Sequence, residues 1–285
     1  MVNYVSLIMD ILKSRNYKID ERNEIQNYMS YCITKLNDLF RDSLKYEVTF
    51  SAGDELQGLF YDVTTAIMYF RLLEMLLKPV KLRAGIGVGE WTIKVDNGLS
   101  TQQDGPVYHK ARCAIEEVYR KQYHNIRICS DKDDVLANHL VNASNTLKNQ
   151  QIYMQNIVLV ILELLCPFIK NQMKADSYEI IKNLLEIKFH YRIGKRSYSY
   201  SLSDVEYKDK ELNFSEIVYI NPIYIDGRIE DAEEHIYVKN ITSMIADILG
   251  CTRQNVDSII RRGNANKIRE LDYIALQYVE RMYRE

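Results

Sequence analysis

Apolar residues run from Val5 to Met9 with only Ser6 between them, which predicts a buried strand over residues 2–10 that ends on Asp10. From Asp20 the spacing changes to three and four: Ile25, Met29, Cys32 or Ile33, Leu36, Leu39 and Phe40 predict a helix. Two alternating runs follow, Tyr46-Glu47-Val48-Thr49-Phe50 and Leu56-Gln57-Gly58-Leu59-Phe60, with Gly53-Asp54-Glu55 as the turn of a hairpin. Asp62 is a natural N-cap for a helix carrying Ala66, Tyr69, Phe70, Leu73, Leu76 and Leu77, which Pro79 ends. The strand from Val80 to Glu90 has glycine at 85, 87 and 89, so one of its faces lacks side chains and invites close approach by a backbone or a ligand. Asp104-Gly105-Pro106 launches a helix through Ala111, Ile115 and Val118, and Asn125–Cys129 is a last short strand. The order β-α-β-β-α-β-α-β predicts an α+β, ferredoxin-like antiparallel sheet with helices on one face.

Residues 131–190 read as helical, with leucine-rich faces at 159–166 and 180–189, a connecting or dimerising layer. The apolar stretch from Ile152 to Ile169 contains Gln155, Asn156 and Glu163, so a core helix is expected there and not a membrane span. Residues 195–212 are rich in Ser, Tyr, Lys and Asp without a period and read as a loop or linker. Beyond them, 242–260 reads as helix, glycine turn, helix. Ala246 permits a close crossing, Gly250 supplies a left-handed turn, and Val256 and Ile259 pack back on Ile245 and Leu249.

The 285 residues suggest about two domains. A formal net charge of −2 gives no global basic field, so any affinity for nucleic acid must be local. Between Gly250 and Arg269 that local field is present: Arg253, Arg261, Arg262, Lys267 and Arg269 stand against Asp257 alone. On a DNA-binding reading, Thr252, Arg253, Gln254 and Asn255 meet base edges while Arg261, Arg262 and Lys267 meet phosphates, and a dimer is expected. The competing reading is a helical hairpin that only packs. Five scattered cysteines without a CxxC pair suggest reduced thiols, and with no signal-peptide pattern the expected setting is the cytoplasm.

Chemistry concentrates in the first half. If the first strand and the hairpin are neighbours, Asp10 and Asp54 converge, and two close carboxylates need a cation or a shared proton. Their hard oxygens suit Mg²⁺ or Mn²⁺, which would bridge phosphates. Glu55 is either a further ligand or a surface turn residue. Arg15 and Arg112 are candidate phosphate clamps beside that pair, and Gln57 either contacts a base or edges the sheet.

The strand ending Met9-Asp10-Ile11 with Ser14-Arg15, the block Gly53-Asp54-Glu55-Leu56-Gln57-Gly58, the strand Arg83-Ala84-Gly85-Ile86-Gly87-Val88-Gly89-Glu90, and Asp104-Gly105-Pro106 with Ala111-Arg112 together resemble the SatD family. The C-terminal helix-turn-helix resembles that family too. More remotely the same elements are similar to class III nucleotide cyclases and diguanylate cyclase palm domains. That resemblance implies metal-binding aspartates at Asp10 and Asp54, a phosphate-binding turn over Ile11, Ser14 and Arg15, and a glycine (Gly53) before the second aspartate. It also implies a catalytic arginine at Arg112. The ribose-contacting asparagine of cyclases falls on Tyr108, and no purine-selecting Lys and Asp pair is found, so binding is favoured over ordinary cyclase activity. The expected organisation is a palm-like nucleotide- and metal-binding domain (1–130), a helical connector with loop (131–212) and a helix-turn-helix domain (213–285). The leading expectation is a DNA-binding regulator that takes a nucleoside triphosphate or cyclic nucleotide. The rivals are an active cyclase or nucleotidyltransferase and a degenerate palm serving as an interaction module.

Overall fold

The run from Val5 to Met9 is apolar on both faces because the strand it forms is covered on both. In a computed structural model, which describes residues 3–120, 124–171, 177–190, 212–214 and 221–284, this strand β1 (Tyr4–Ile11) is the centre of a five-stranded sheet. Its neighbours β3 (Glu55–Phe60) and β4 (Leu82–Gly89) both run antiparallel to it. β2 (Leu44–Ala52) pairs antiparallel with β3, β5 (Ile126–Cys129) runs parallel to β4, and the order is β2-β3-β1-β4-β5. The α+β class and the element order therefore match the sequence reading. The expected loop at 195–212 lies outside the described residues except for Leu212.

Side-chain alternation sorts the sheet into two faces. Val5, Leu7 and Met9, with Leu56, Phe60, Leu82, Ala84 and Ile86, share one core with α1 (Ile19–Leu39) and α2 (Val63–Leu77). Asp62 caps α2 as expected, its carboxylate accepting from the Thr65 amide at 3.0 Å. The opposite face carries Ile8, which packs on Ala111 and Ile115 of α3 (Pro106–Val118), and Leu59, which packs on Val107 and Tyr108. Helices thus cover both faces, which corrects the one-face expectation.

The glycines of β4 are the reason a helix fits there. A Cβ on Gly85 would lie 2.3 Å from the Ala111 carbonyl oxygen, and one on Gly87 would lie 2.1 Å from that of Val107. The approaching backbone that the glycine spacing called for is α3.

The second half is a helical layer: α4 (Val135–Leu140), α5 (Asn145–Gln150), α6 (Tyr153–Leu165) and α7 (Ser177–His190). β6 (Phe168–Ile169) interrupts it and pairs parallel with β7 (Ile223–Tyr224), a small sheet that the periodicity did not reveal. After α8 (Ala232–Ile236) come α9 (Ile241–Leu249), a turn with Gly250 at φ +59°, α10 (Arg253–Arg262) and the long α11 (Ala265–Tyr283). α6 is buried along nearly its whole length and packs on α10, and α11 packs on α2. Among the described residues, no helix is long and apolar enough to cross a membrane.

Polar groups seal this second core. Arg71 of α2 pairs with Glu163 of α6 and, at 2.5 Å, with Asp272 of α11, while Arg269 of α11 closes on the same Glu163. The Phe168 ring receives both guanidiniums, their carbons 4.9 Å and 4.6 Å from its centroid.

Two consequences follow for stability. Gly87→Ala forces a Cβ into the α3 backbone and should cost about 3 kcal/mol in urea denaturation, at the upper end for overpacking. Lys188 of α7 is fully buried, donates to the Lys78 carbonyl at 2.6 Å, and is pushed down to about 7 chiefly by burial, with Cys32 pulling it up and Lys78 adding a smaller push down. Its folded value lies below its unfolded one, so the unfolded chain binds more protons between the two. Stability should therefore rise with pH above about 7 on this group's account, and Lys188→Met should flatten that slope in denaturation curves between about pH 7 and 9.

Candidate functional site

The sheet face under α3 gathers a cluster of charge at one end. Even positions of β1, odd positions of β3 and odd positions of β4 point to that face, which brings Asp10, Glu55 and Arg83 to the edge where β1 ends and β3 and β4 begin. The β1–β4 register sets Asp10 opposite Arg83. Continuing the β1–β3 register one step past Met9 and Leu56 brings Glu55 to the other flank of Asp10. Arg112 reaches down from α3 onto Glu55. The result is a row across three strands, Arg112, Glu55, Asp10, Arg83, with two carboxylates inside and a guanidinium at each end.

Asp10 takes both oxygens to Arg83 in a two-pronged pair. Even so its carboxyl sits above the usual range. Burial is the largest cause, the Arg83 hydrogen bond and charge oppose it, and the negative charges of Asp54 and Glu55 add to the rise. Glu55 behaves oppositely: burial pushes it up, but hydrogen bonds from Arg112 and Ser51 outweigh that and leave it below the ordinary value. The Ser51 hydroxyl donates at 2.7 Å, and the second Arg112 nitrogen donates at 2.8 Å. Arg83 is nearly buried, with its guanidinium carbon 3.0 Å from the Tyr119 ring centroid. Its Nη1 has no hydrogen-bond partner, a buried donor left for an incoming acceptor.

Asp54 occupies the second position of the two-residue hairpin loop, after Gly53, whose φ of +63° suits a tight two-residue turn. The structure thus brings Asp10, Asp54, Glu55 and Arg112 together. Among the described residues, no three acid, imidazole or thiol groups converge into a ready metal cage. Asp10 is held by the Arg83 guanidinium.

The other expected residues divide. Lys13 turns left-handed at φ +57°, and the short turn Ser14–Asn16 beyond it leaves Arg15 exposed, while Ile11 stays in the core. Gln57 is buried on an interior strand, and its amide donates to the Ser100 carbonyl at 2.8 Å, so it neither edges the sheet nor stands open to a base. Tyr108 is buried beside Leu59 and Val107, with Tyr4, Tyr46 and Trp91 packed around. Burial raises its hydroxyl to about 12. Sequence reasoning gave Arg83, Tyr119 and Ser51 no role in the site. Only strand register exposes Arg83, although its place at the start of the glycine-spaced strand was a usable signal.

At the other end of the chain, α10 carries Arg253, Gln254, Arg261 and Arg262 on its exposed side. Thr252 caps it, accepting from the Asn255 amide at 3.3 Å, and Asn255 is half-buried. Arg253 lies 3.8 Å from Asp257, and Lys267 pairs with Glu270 at 2.8 Å. Arg269 is not part of this surface. At 1% exposure it belongs to the Glu163 cluster, which corrects its place in the basic field.

No curated protein matches the chain. Among solved structures, one of a bacterial light-regulated adenylyl cyclase is similar at 17% identity and a TM-score of 0.34, covering 45% of this chain and 75% of that one. Another of a bacterial light-regulated adenylyl cyclase is similar at 15% identity and a TM-score of 0.33, covering 45% and 42%. The SatD family matches residues 4–198, a span that takes in every strand of the five-stranded sheet and runs on through α7. The chain belongs to the SatD family.

Proposed function

We propose that this chain is a dimeric cytoplasmic regulator whose sheet domain binds a nucleotide with Mg²⁺ or Mn²⁺ and whose α9–α10 pair binds DNA as a helix-turn-helix. The observation that carries the first half is the charge row Arg112, Glu55, Asp10, Arg83, with Asp54 beside it. A metal–phosphate complex has the matching pattern: its cation suits the inner carboxylates and its phosphate oxygens suit the outer guanidiniums. Each salt bridge would exchange one partner for a ligand atom of the same charge, so the ligand can enter without leaving a buried ion unpaired. Asp10, Asp54 and Glu55 would hold the metal, Arg112 and Arg83 the phosphates, and Arg15 lies exposed on the adjoining turn. The buried Tyr108, at the position where cyclases carry asparagine, favours binding over turnover. For the second half, the exposed Arg253, Gln254, Arg261 and Arg262 give α10 a solvent-facing basic side free to enter a groove.

Two measurements test this reading. Calorimetry with nucleoside triphosphate and Mn²⁺ should detect binding that Asp54→Asn and Arg112→Ala each weaken by about 10–100-fold. The absence of metal-dependent binding by any nucleotide overturns it, and turnover that Asp54→Ala abolishes would make the chain an enzyme instead. DNA binding should fall with salt, and Arg261→Ala should weaken it about uniformly across sequences while reducing the salt slope by about 1. A chain that is not retained on DNA at low salt is no DNA-binding protein.

A further inference from the structure

A second cavity lies behind the strand-end site, on the α1–α2 side of the sheet where it meets the helical layer. It measures about 480 Å³, within the range of small-ligand pockets. Its wall is formed by the turn after β1, the segment from α2 into β4, and the α5–α6 junction. Among the described residues, four lysines line it, Lys13, Lys78, Lys81 and Lys148, against a single acid, Glu74.

That acid is already engaged. Glu74 takes the Lys148 ammonium at 3.3 Å and accepts a hydrogen bond from the Asn125 amide. Lys148 lies a further 3.7 Å from Asp272. Lys78 donates to the Lys148 carbonyl oxygen, and burial and the neighbouring lysines push it down to about 8, Glu74 opposing. Lys13 and Lys81 are exposed at the rim and form no ion pair with a described residue. The cavity is therefore short of negative charge among the described residues.

Two buried amides complete the lining. Gln151 spends its Nε2 on the Gly263 carbonyl at 2.7 Å, which leaves its Oε1 without a partner. Asn156 is 1% exposed and its Oδ1 is likewise unpaired. Buried acceptors left unmade are costly, and both residues belong to a lining otherwise rich in cations and carbon. The Tyr17 ring, with Met75, Val80 and Leu159, supplies the apolar part.

We propose that this cavity is a binding site for a nucleoside phosphate taken without metal, its phosphates on Lys13, Lys78 and Lys81 and the N–H groups of its base on Asn156 and Gln151. The three parts of the lining match the three parts of that ligand class: cations for phosphate, carbonyl acceptors for exocyclic amines, and an aromatic and aliphatic wall for the flat base. This site is independent of the strand-end one, since its donors are lysines and amides and it needs no cation.

The test is calorimetric titration of the full chain in EDTA with nucleoside mono- and triphosphates, the bare nucleoside and pyrophosphate. A nucleoside phosphate should bind under these metal-free conditions, with the nucleoside and pyrophosphate each at least about tenfold weaker. Lys13→Glu and Lys81→Glu, both at exposed positions, should each weaken binding about tenfold, and Asn156→Leu should weaken it while the chain stays folded by circular dichroism. Arg112→Ala should leave this metal-free binding unchanged, which separates it from the strand-end site. Absence of metal-free binding, or unchanged affinity in the Lys13→Glu/Lys81→Glu double variant, overturns the proposal. Pyrophosphate binding as tightly as the nucleotides overturns the assignment of a base.

Discussion

The buried cluster of Arg71, Glu163, Arg269 and Asp272 is the constraint on which the rest of the architecture depends. Two guanidiniums and two carboxylates sit in the second core with the Ser144 hydroxyl on Asp272, the Cys166 carbonyl on Arg269 at 2.5 Å, and the Phe168 ring against both guanidiniums. Bringing four charges out of water is expensive, and their mutual attraction offsets that only when every member is in place. Removing one member from such a set costs about 3–5 kcal/mol, because its partner is left buried and unpaired. A greasy interface of the same area would tolerate sliding. This one fixes α2, α6 and α11 in a single arrangement, and so fixes the sheet relative to the C-terminal helices.

That geometry has a functional side. α2 begins directly after the hairpin that carries Asp54 and Glu55, and α11 begins directly after α10. Thr64 near the start of α2 donates to Glu280 near the end of α11 at 2.9 Å, and Lys170 joins Glu280 at 2.9 Å and Asp62 at 3.3 Å. The strand-end site and the exposed helix are therefore linked by a continuous series of packed helices and paired charges. A ligand that shifts the hairpin has a rigid element to push against, which is the physical requirement for one site to bias another.

Much of this was readable in the sequence, for identifiable reasons. Alternation and three-four spacing gave the order of the first eight elements, the Asp62 cap and the hairpin, because those patterns depend only on which side of an element faces a core. The glycines at 85 and 87 announced a close neighbour, a backbone or a ligand, but not its identity, and the ferredoxin-like plan with helices on one face hid the helix on the second. The pairing of Asp10 with Arg83 was not legible, since register depends on how two distant strands align. Arg269 shows a missed signal. Ala265, Ile268, Asp272, Ala275, Leu276 and Val279 recur at three and four residues, and Arg269 shares their buried stripe. Counted as charge it looked like part of a DNA-facing patch, whereas its helical phase already placed it inside.

The two sides of the turn after β1 show opposite solutions to the same electrostatic problem. At the strand ends, like charges sit side by side in the middle of the row: Asp10 is raised by burial and by Asp54 and Glu55, and arginines from β4 and α3 offset the repulsion. In the cavity behind, the crowding is of cations, with Lys78 pushed down by burial and by Lys148 and Lys81 while Glu74 is shared with Lys148. The turn after β1 borders both, with Asp10 on one side and Lys13 on the other, only three positions apart. Neither arrangement is the cheapest way to fill its space, since an apolar residue at Asp10 or Lys78 would avoid the desolvation altogether. The cavity, with its excess of cations, is suited to a ligand that brings negative charge. The strand ends instead hold paired charges of both signs, which only a ligand carrying both would match.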